Sequence, residues 1–254
     1  MINNKFFRNN VSFTLILINV VIYLFQIAVP KITTTFMLTS NIVWQQPWTL
    51  ITAMFLHGSF SHLLFNMYAL LLFGPLIERK IGKKRFLILY FVAGFFASLA
   101  ALYYPAALGA SGAIMGVLGM VIMLFPDLKV LFFFIVPMSM RTAGIIFALM
   151  DLFGFFAGGS GVAHLSHLAG LSIGLIYGFY LIHKKREFQT KFTSGNSFFS
   201  KKNSFSNFKS SSSLGKSSSN SSRTSKSNFS NSSSGETIEL TKDDLDKYYK
   251  YGKL

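Results

Sequence analysis

The sequence predicts an all-α membrane protein: a six-transmembrane-helix bundle over residues 1–183, followed by a disordered, Ser/Asn/Lys-rich cytoplasmic tail over residues 184–254. Composition is the first ground. Of 254 residues, 51% are hydrophobic, 29 are Phe and 13% are charged, with mean hydropathy +0.46; soluble domains carry about twice that charge. The second ground is a set of six apolar stretches, near 12–29, 56–76, 85–104, 110–126, 141–157 and 162–182. Each approaches the ~20 residues needed to cross ~30 Å of hydrocarbon. The third is a sharp change to polar, low-complexity sequence after residue 183.

The first stretch has a basic flank, Lys5 and Arg8, and so also resembles a signal peptide. Its apolar core is long, and no small-x-small cleavage site precedes Pro30-Lys31, so it is assigned as the first membrane helix. Arg79, Lys80, Lys83, Lys84 and Arg85 join the second span to the third. Lys129 and Arg141 flank the fourth-to-fifth link, and Lys184, Lys185 and Arg186 follow the sixth. The opposite connections hold only Lys31. Basic residues mark the cytoplasmic side, which places both termini there. No organellar presequence is evident, so the expected location is a bacterial plasma membrane. The net charge of +15 sits at the ends and in loops, where it orients spans in a lipid bilayer; no nucleic-acid partner is expected.

In the tail, runs such as Ser210 to Ser213 and Ser217 to Ser219 offer too little apolar surface to offset the entropy of ordering. Thr241-Lys242-Asp243-Asp244 before Leu245 and Tyr248 has the form of a short amphipathic helix start, although a solvated end is the simpler reading.

Polar residues inside the spans are the candidates for function, because charged groups there cost about 2.5 kcal/mol or more. With the termini cytoplasmic, spans two, four and six all enter from the outer side. Ser111 then lies about a turn below that surface and His167 about 8 Å below it, at 1.5 Å per residue. His57, His62 and Asn66 occupy the upper part of span two. Three spans thus bring their unusual residues to one depth. The chain has no cysteine, so a nucleophile must be an oxygen.

These residues resemble the rhomboid family of intramembrane serine proteases over about residues 12–182. The resemblance rests on Gly-Ala-Ser-Gly at 109–112, His57-Gly-Ser-Phe-Ser-His62-Leu-Leu-Phe-Asn66, and Ser166-His167-Leu-Ala-Gly170-Leu-Ser-Ile-Gly174. It implies a rhomboid-like bundle and a serine endopeptidase whose dyad is Ser111 and His167. It implies oxyanion and substrate contacts from His62, Asn66 and Gly109. Expected partners are single-span transmembrane substrates, cut near the non-cytoplasmic face where the helix is weakened.

The chemistry suits those residue types. A serine hydroxyl needs a base, and neutral imidazole serves as one near pH 7. The tetrahedral oxyanion needs donors already in place; His62 and Asn66, spaced i,i+4, share a helical face, and the Ser111 N–H lies at a helix start. Gly112, Gly116 and Gly119 in span four, and Gly170, Gly174 and Gly178 in span six, form small-residue faces that let helices approach closely. Gly158-Gly159-Ser160-Gly161 reads as a lid above His167, with Leu152, Phe153, Phe155 and Phe156 as a lateral wall.

Other residues carry weaker assignments. His57 is read as holding water or anchoring a loop, His164 as ordering water or capping a loop, and His183 as interfacial. Asp151 lies near the depth of His167 and would either orient a histidine or serve helix packing; the resemblance gives it no role. No metal and no cofactor is expected, since His-Glu-x-x-His is absent and thiolates are lacking. Thr49 after Trp48 and Met115 after Ser111 depart from the family pattern, which often has Arg and an aromatic there. Glu78 and Arg79 are read as pairing locally or with helix ends. A catalytically silent rhomboid-like protein that binds or escorts helices is the alternative, and a small transporter fits the polar residues but not the Ser and His motifs.

Overall fold

The computed structural model describes residues 10–132, 135–158 and 161–200. Among the described residues, eight α-helices and two short two-stranded antiparallel ladders follow one another. Helix α1 spans Val11–Ala28 and the short α2 Lys31–Phe36. Strand β1, Leu38–Thr39, and α3, Thr49–Thr52, lie in the first connection. Helices α4, Phe60–Ile81, and α5, Lys83–Ala101, are separated by Gly82 with φ +84°. Then come β2, Ala106–Ala107, and α6, Ser111–Leu124. Strands β3, Lys129–Phe132, and β4, Val136–Ser139, precede α7, Met140–Ala157, and α8, His164–Ser200.

Five of these helices are long and apolar enough to cross a membrane, so the chain is an integral membrane protein. The expectation of six full-length spans is met differently. Helix α6 is apolar but only 14 residues long, or ~21 Å at 1.5 Å per residue. It does not need to be longer, because every residue from Gly112 to Val121 is buried in protein. Non-helical backbone is tolerated at depth when protein surrounds it, and residues 102–110 supply that approach in extended and turn conformations.

Helix α1 reverses the burial pattern of a helix on a soluble protein. In α1 the buried residues include Ser12, Asn19 and Gln26, whereas Leu17, Leu24, Phe25 and Ile27 are exposed. Large apolar groups facing outward are stable only against lipid, and small or polar groups form the helix contacts. Helix α1 packs on α4, and Glu78 of α4 fixes its start. The Glu78 carboxylate accepts from Val11 N (2.8 Å), Ser12 N (2.9 Å) and Ser12 Oγ (2.8 Å). An acidic group against a helix N-terminus satisfies free N–H groups and complements the dipole. Of the two readings for Glu78, the helix-end one therefore holds.

Glycine sets the approach of α6 and α8. A methyl carbon added at Gly170 would run into the backbone of Gly112, and one at Gly174 into that of Gly116. At Gly119 it would meet Leu171 O at 2.5 Å. On its other side α6 is met by α5, where Ala97 and Ala93 face Gly112 and Gly116. Both glycine series thus serve packing, as their spacing predicts.

The first connection is folded: Leu38, Val43, Leu50 and Ala53 form a small core with Ala101 of α5. Its strand β1 pairs antiparallel with β2, Leu38 opposite Ala107, and β3 pairs with β4 across the link before α7. The tail does not become irregular at 184, since α8 continues to Ser200; residues 201–254, including the helix start expected at 241–248, lie outside the described residues. On α7, Phe153 and Phe156 point outward, 70% and 76% exposed, so they do not wall the site. The 3.6-residue period turns them away from Asp151, whereas Phe155, one turn after it, lines the cavity.

Gly174→Ala is expected to lower the thermal midpoint of the detergent-solubilised protein by the equivalent of about 1–3 kcal/mol, through overpacking against α6. Gly58→Ala, whose new carbon would meet only Leu108 at 3.7 Å, is the control and should change it by less than about 0.5 kcal/mol.

Candidate active site

Ser111 is the first residue of α6, so its N–H has no partner within the helix. The chain reaches it through Gly109, whose φ of +132° disfavours any side chain and whose N–H donates to Ala53 O at 2.9 Å. His167 lies in the first turn of α8, which Tyr104 caps by accepting from Leu165 N at 3.1 Å. Ser166 Oγ donates to Ala97 O at 2.7 Å, tying this turn to α5. With both helix starts fixed, His167 Nε2 stands 2.9 Å from Ser111 Oγ across 56 residues of sequence.

Behind the imidazole, His167 Nδ1 is 3.0 Å from Asp151 Oδ1, and His164 Nδ1 is 2.8 Å from the same oxygen. Asp151 is buried, and both histidines are half-buried. These three side chains also place potential metal-ligating atoms within 4.8 Å of one another; shared hydrogen bonds to one carboxylate account for that proximity.

On the other side of Ser111 are His62 and Asn66 of α4. Ser59 starts this helix by accepting from His62 N at 3.1 Å, so α4 begins at Phe60, four residues later than the apolar stretch suggests. His57 therefore precedes the helix, while His62 and Asn66 keep their i,i+4 relation on it. A carbon added to Gly109 would sit 2.7 Å from His62 Cε1 and 3.7 Å from Ser111 Oγ. The His62 ring, Gly109 and the serine hydroxyl thus crowd one point. Asn66 is buried, and its Nδ2 meets no protein acceptor. A cavity of about 930 Å³ is lined by His62, Asn66, Ser111, His164 and His167, with Gly158 and Gly161 at its rim. Of the expected lid, residues 159 and 160 lie outside the described residues.

His57 is anchored from α1. Gln26 Oε1 accepts from His57 N at 2.9 Å, and Gln26 Nε2 donates to His57 O at 3.2 Å. The ring of His57 meets that of His62 edge-on, 5.2 Å between centroids. Sequence reasoning passed over Gln26 and Tyr104. A glutamine inside the most apolar span was a signal in its own right, whereas nothing in the sequence marked Tyr104 as a cap. Thr49, where the family often has Arg, is buried and bonds locally, its Oγ1 donating to Gln46 O at 2.6 Å. Met115 is buried within α6.

The arrangement pairs a hydroxyl with a base, places donors beside it and opens onto a cavity, the requirements of acyl transfer. Residues 44–184 match the model of the Rhomboid domain. The chain belongs to the rhomboid family. It is similar to Rhomboid protein 1, mitochondrial, of Saccharomyces cerevisiae, 34% identical over 152 residues, covering 55% of this chain and 44% of the yeast protein. It is similar also to Rhomboid protease GluP of Bacillus subtilis, 36% identical over 129 residues, 49% of this chain and 24% of that protein. The human presenilin-associated rhomboid-like protein, mitochondrial, is 35% identical over 152 residues, 54% of this chain and 40% of that one. The chain spans less than half the length of each of these three. Mitochondrial proteins stand beside a bacterial one among them, so these relatives do not single out the bacterial plasma membrane that the sequence led us to expect.

Gln26→Leu removes both bonds that hold the His57 backbone. It is expected to destabilise the protein by about 1–3 kcal/mol, the cost of leaving buried polar groups unpaired, as read by thermal unfolding in detergent.

Proposed function

We propose that this rhomboid is an intramembrane serine endopeptidase that hydrolyses peptide bonds of transmembrane substrates. The 2.9 Å separation of His167 Nε2 and Ser111 Oγ is the observation that carries this reading. Ser111 Oγ attacks the scissile carbonyl carbon while His167 Nε2 takes the hydroxyl proton. The resulting oxyanion is held by the Ser111 N–H with His62 and Asn66, whose unpaired Nδ2 is a donor awaiting an acceptor. The intermediate collapses as the imidazolium protonates the leaving amine, giving an acyl-enzyme. Water, deprotonated by His167, then releases the new carboxylate and regenerates the serine.

Substrate carbonyls are unavailable while tied into helical i to i−4 bonds, so the scissile segment must unwind on reaching the cavity. The family resemblance implies a substrate spanning the bilayer once. The basic flanks of the spans put both termini on the cytoplasmic side, and hence the cavity toward the opposite face. The hydrolytic pair consists of Ser and His alone, and the reaction as derived requires no metal or cofactor.

Purified protein in detergent is expected to cleave a helix-destabilised transmembrane peptide. Ser111→Ala and His167→Ala should each lower kcat by about 10⁴-fold or more, and EDTA should leave the rate unchanged. Wild type as inert as these variants would favour the silent, helix-binding alternative. His62→Ala or Asn66→Ala should cost about 10²- to 10³-fold in kcat, the usual loss for one oxyanion donor; unchanged turnover would remove them from that role.

A further inference from the structure

We propose that Asp151 is a positioning residue for His167, and that His164 holds its carboxylate in place by donating to the same oxygen. The proposal deepens the hydrolytic reading above and rests on it. A neutral imidazole carries one N–H, and which nitrogen bears it decides whether the ring can act as a base toward Ser111. Asp151 Oδ1 lies 3.0 Å from His167 Nδ1, while Nε2 faces Ser111 Oγ at 2.9 Å. An ionised carboxylate is an acceptor only, so it draws the proton to Nδ1 and leaves the Nε2 lone pair for the serine hydroxyl. When the ring takes up the Ser111 proton, the same carboxylate faces the imidazolium at its other nitrogen. Proton count is conserved, because Asp151 gains none.

A buried carboxylate is costly unless it is hydrogen-bonded. His164 supplies a second donor at 2.8 Å, and charge-assisted bonds of this kind are the strong ones. The sequence makes room for it. A carbon added at Gly154, three residues after Asp151 on α7, would run into the His164 imidazole. Gly154 therefore lets that ring approach α7 closely while it reaches the carboxylate. A carboxylate one helix away joined to two histidines a turn apart on α8 also fixes α7 to α8 close to the reacting atoms, on a helix whose other buried residues are Met140, Ala143 and Gly144.

The competing account is a brace: Asp151 joins α7 to α8, and its proximity to His167 has no chemical consequence. The two differ in kcat. Asp151→Asn presents an amide of the same shape and, where its N–H faces Nδ1, favours the wrong tautomer. Positioning predicts a fall in kcat of about 10²- to 10⁴-fold, the upper end being the loss when the aspartate of a serine-protease triad becomes Asn, with KM within about twofold and the thermal midpoint close to wild type. His164→Ala should lower kcat by about 10- to 100-fold, the loss expected for one hydrogen bond to a charged group. His164→Asn, whose Nδ2 falls near the lost Nδ1, should restore most of it.

A second measurement needs no turnover. In ¹⁵N spectra of the wild-type protein, with the His167 signals assigned by their loss in His167→Ala, the neutral ring should carry its proton on Nδ1. An Nε2–H tautomer overturns the proposal, as does full kcat in a folded Asp151→Asn. Inert wild type would remove the hydrolytic reading, whereas active wild type with fully active Asp151→Asn would remove only the role of Asp151.

Discussion

The close approach of α6 and α8 is the constraint on which the rest of the molecule depends. Lipid gives no hydrophobic drive for two apolar helices to associate, so contact must come from surfaces that fit. Gly112 and Gly116 meet Gly170 and Gly174 with no room for a methyl group. At that spacing, side chains at the two helix starts meet across a hydrogen bond, and Ser111 and His167 are those side chains. Larger residues on either face would separate the axes and lengthen that contact before touching any reacting group.

A second consequence of the membrane setting is the economy of polar groups. Several polar side chains in the bundle that sit away from the cavity are used to fasten backbone. Glu78 holds the start of α1, Gln26 holds the segment before α4, Ser166 ties α8 to α5, and Tyr104 caps α8. By contrast, Asn66 Nδ2 and both ring nitrogens of His57 are buried without a protein partner, and Asn66 borders the cavity. Buried donors are normally satisfied, so an unpaired donor at the cavity wall is where a ligand oxygen gains most. The folded first connection and its pairing with β2 serve the same end: they fix Gly109, and with it the angle at which α6 begins.

Much of this was legible in the sequence. The apolar stretches announced the helices; His167, His62 and Asn66 stood out because ionisable and amide groups are rare in such stretches, and Ser111 through the Gly-Ala-Ser-Gly motif that resembles the rhomboid family's. The limits were also physical. Hydropathy averaged over a window does not see where a helix begins, so α4 starts at its Ser59 cap rather than at the first apolar residue, and His57 falls outside it. Nor does it distinguish a helix that crosses the bilayer from α6, which is shorter and enclosed. Rotational phase was the other loss: Leu152, Phe153, Phe155 and Phe156 look alike in a list, yet only Phe155 shares the face of Asp151 and reaches the cavity.

By itself, then, the sequence determined the solvent of this protein, the approximate place of its apolar helices and the candidate residues for chemistry, because hydrophobicity and side-chain chemistry are local properties. Tertiary structure decided which of those residues meet. Ser111 and His167 are 56 positions apart, and Asp151 lies on a third helix. Their separations are sums over helix lengths, cap positions and packing offsets, and an error of one residue in any of these turns a side chain by about 100°. That is why Asp151 had two readings in the sequence, and why a single oxygen shared by His164 and His167 became visible only when α7 and α8 were set side by side.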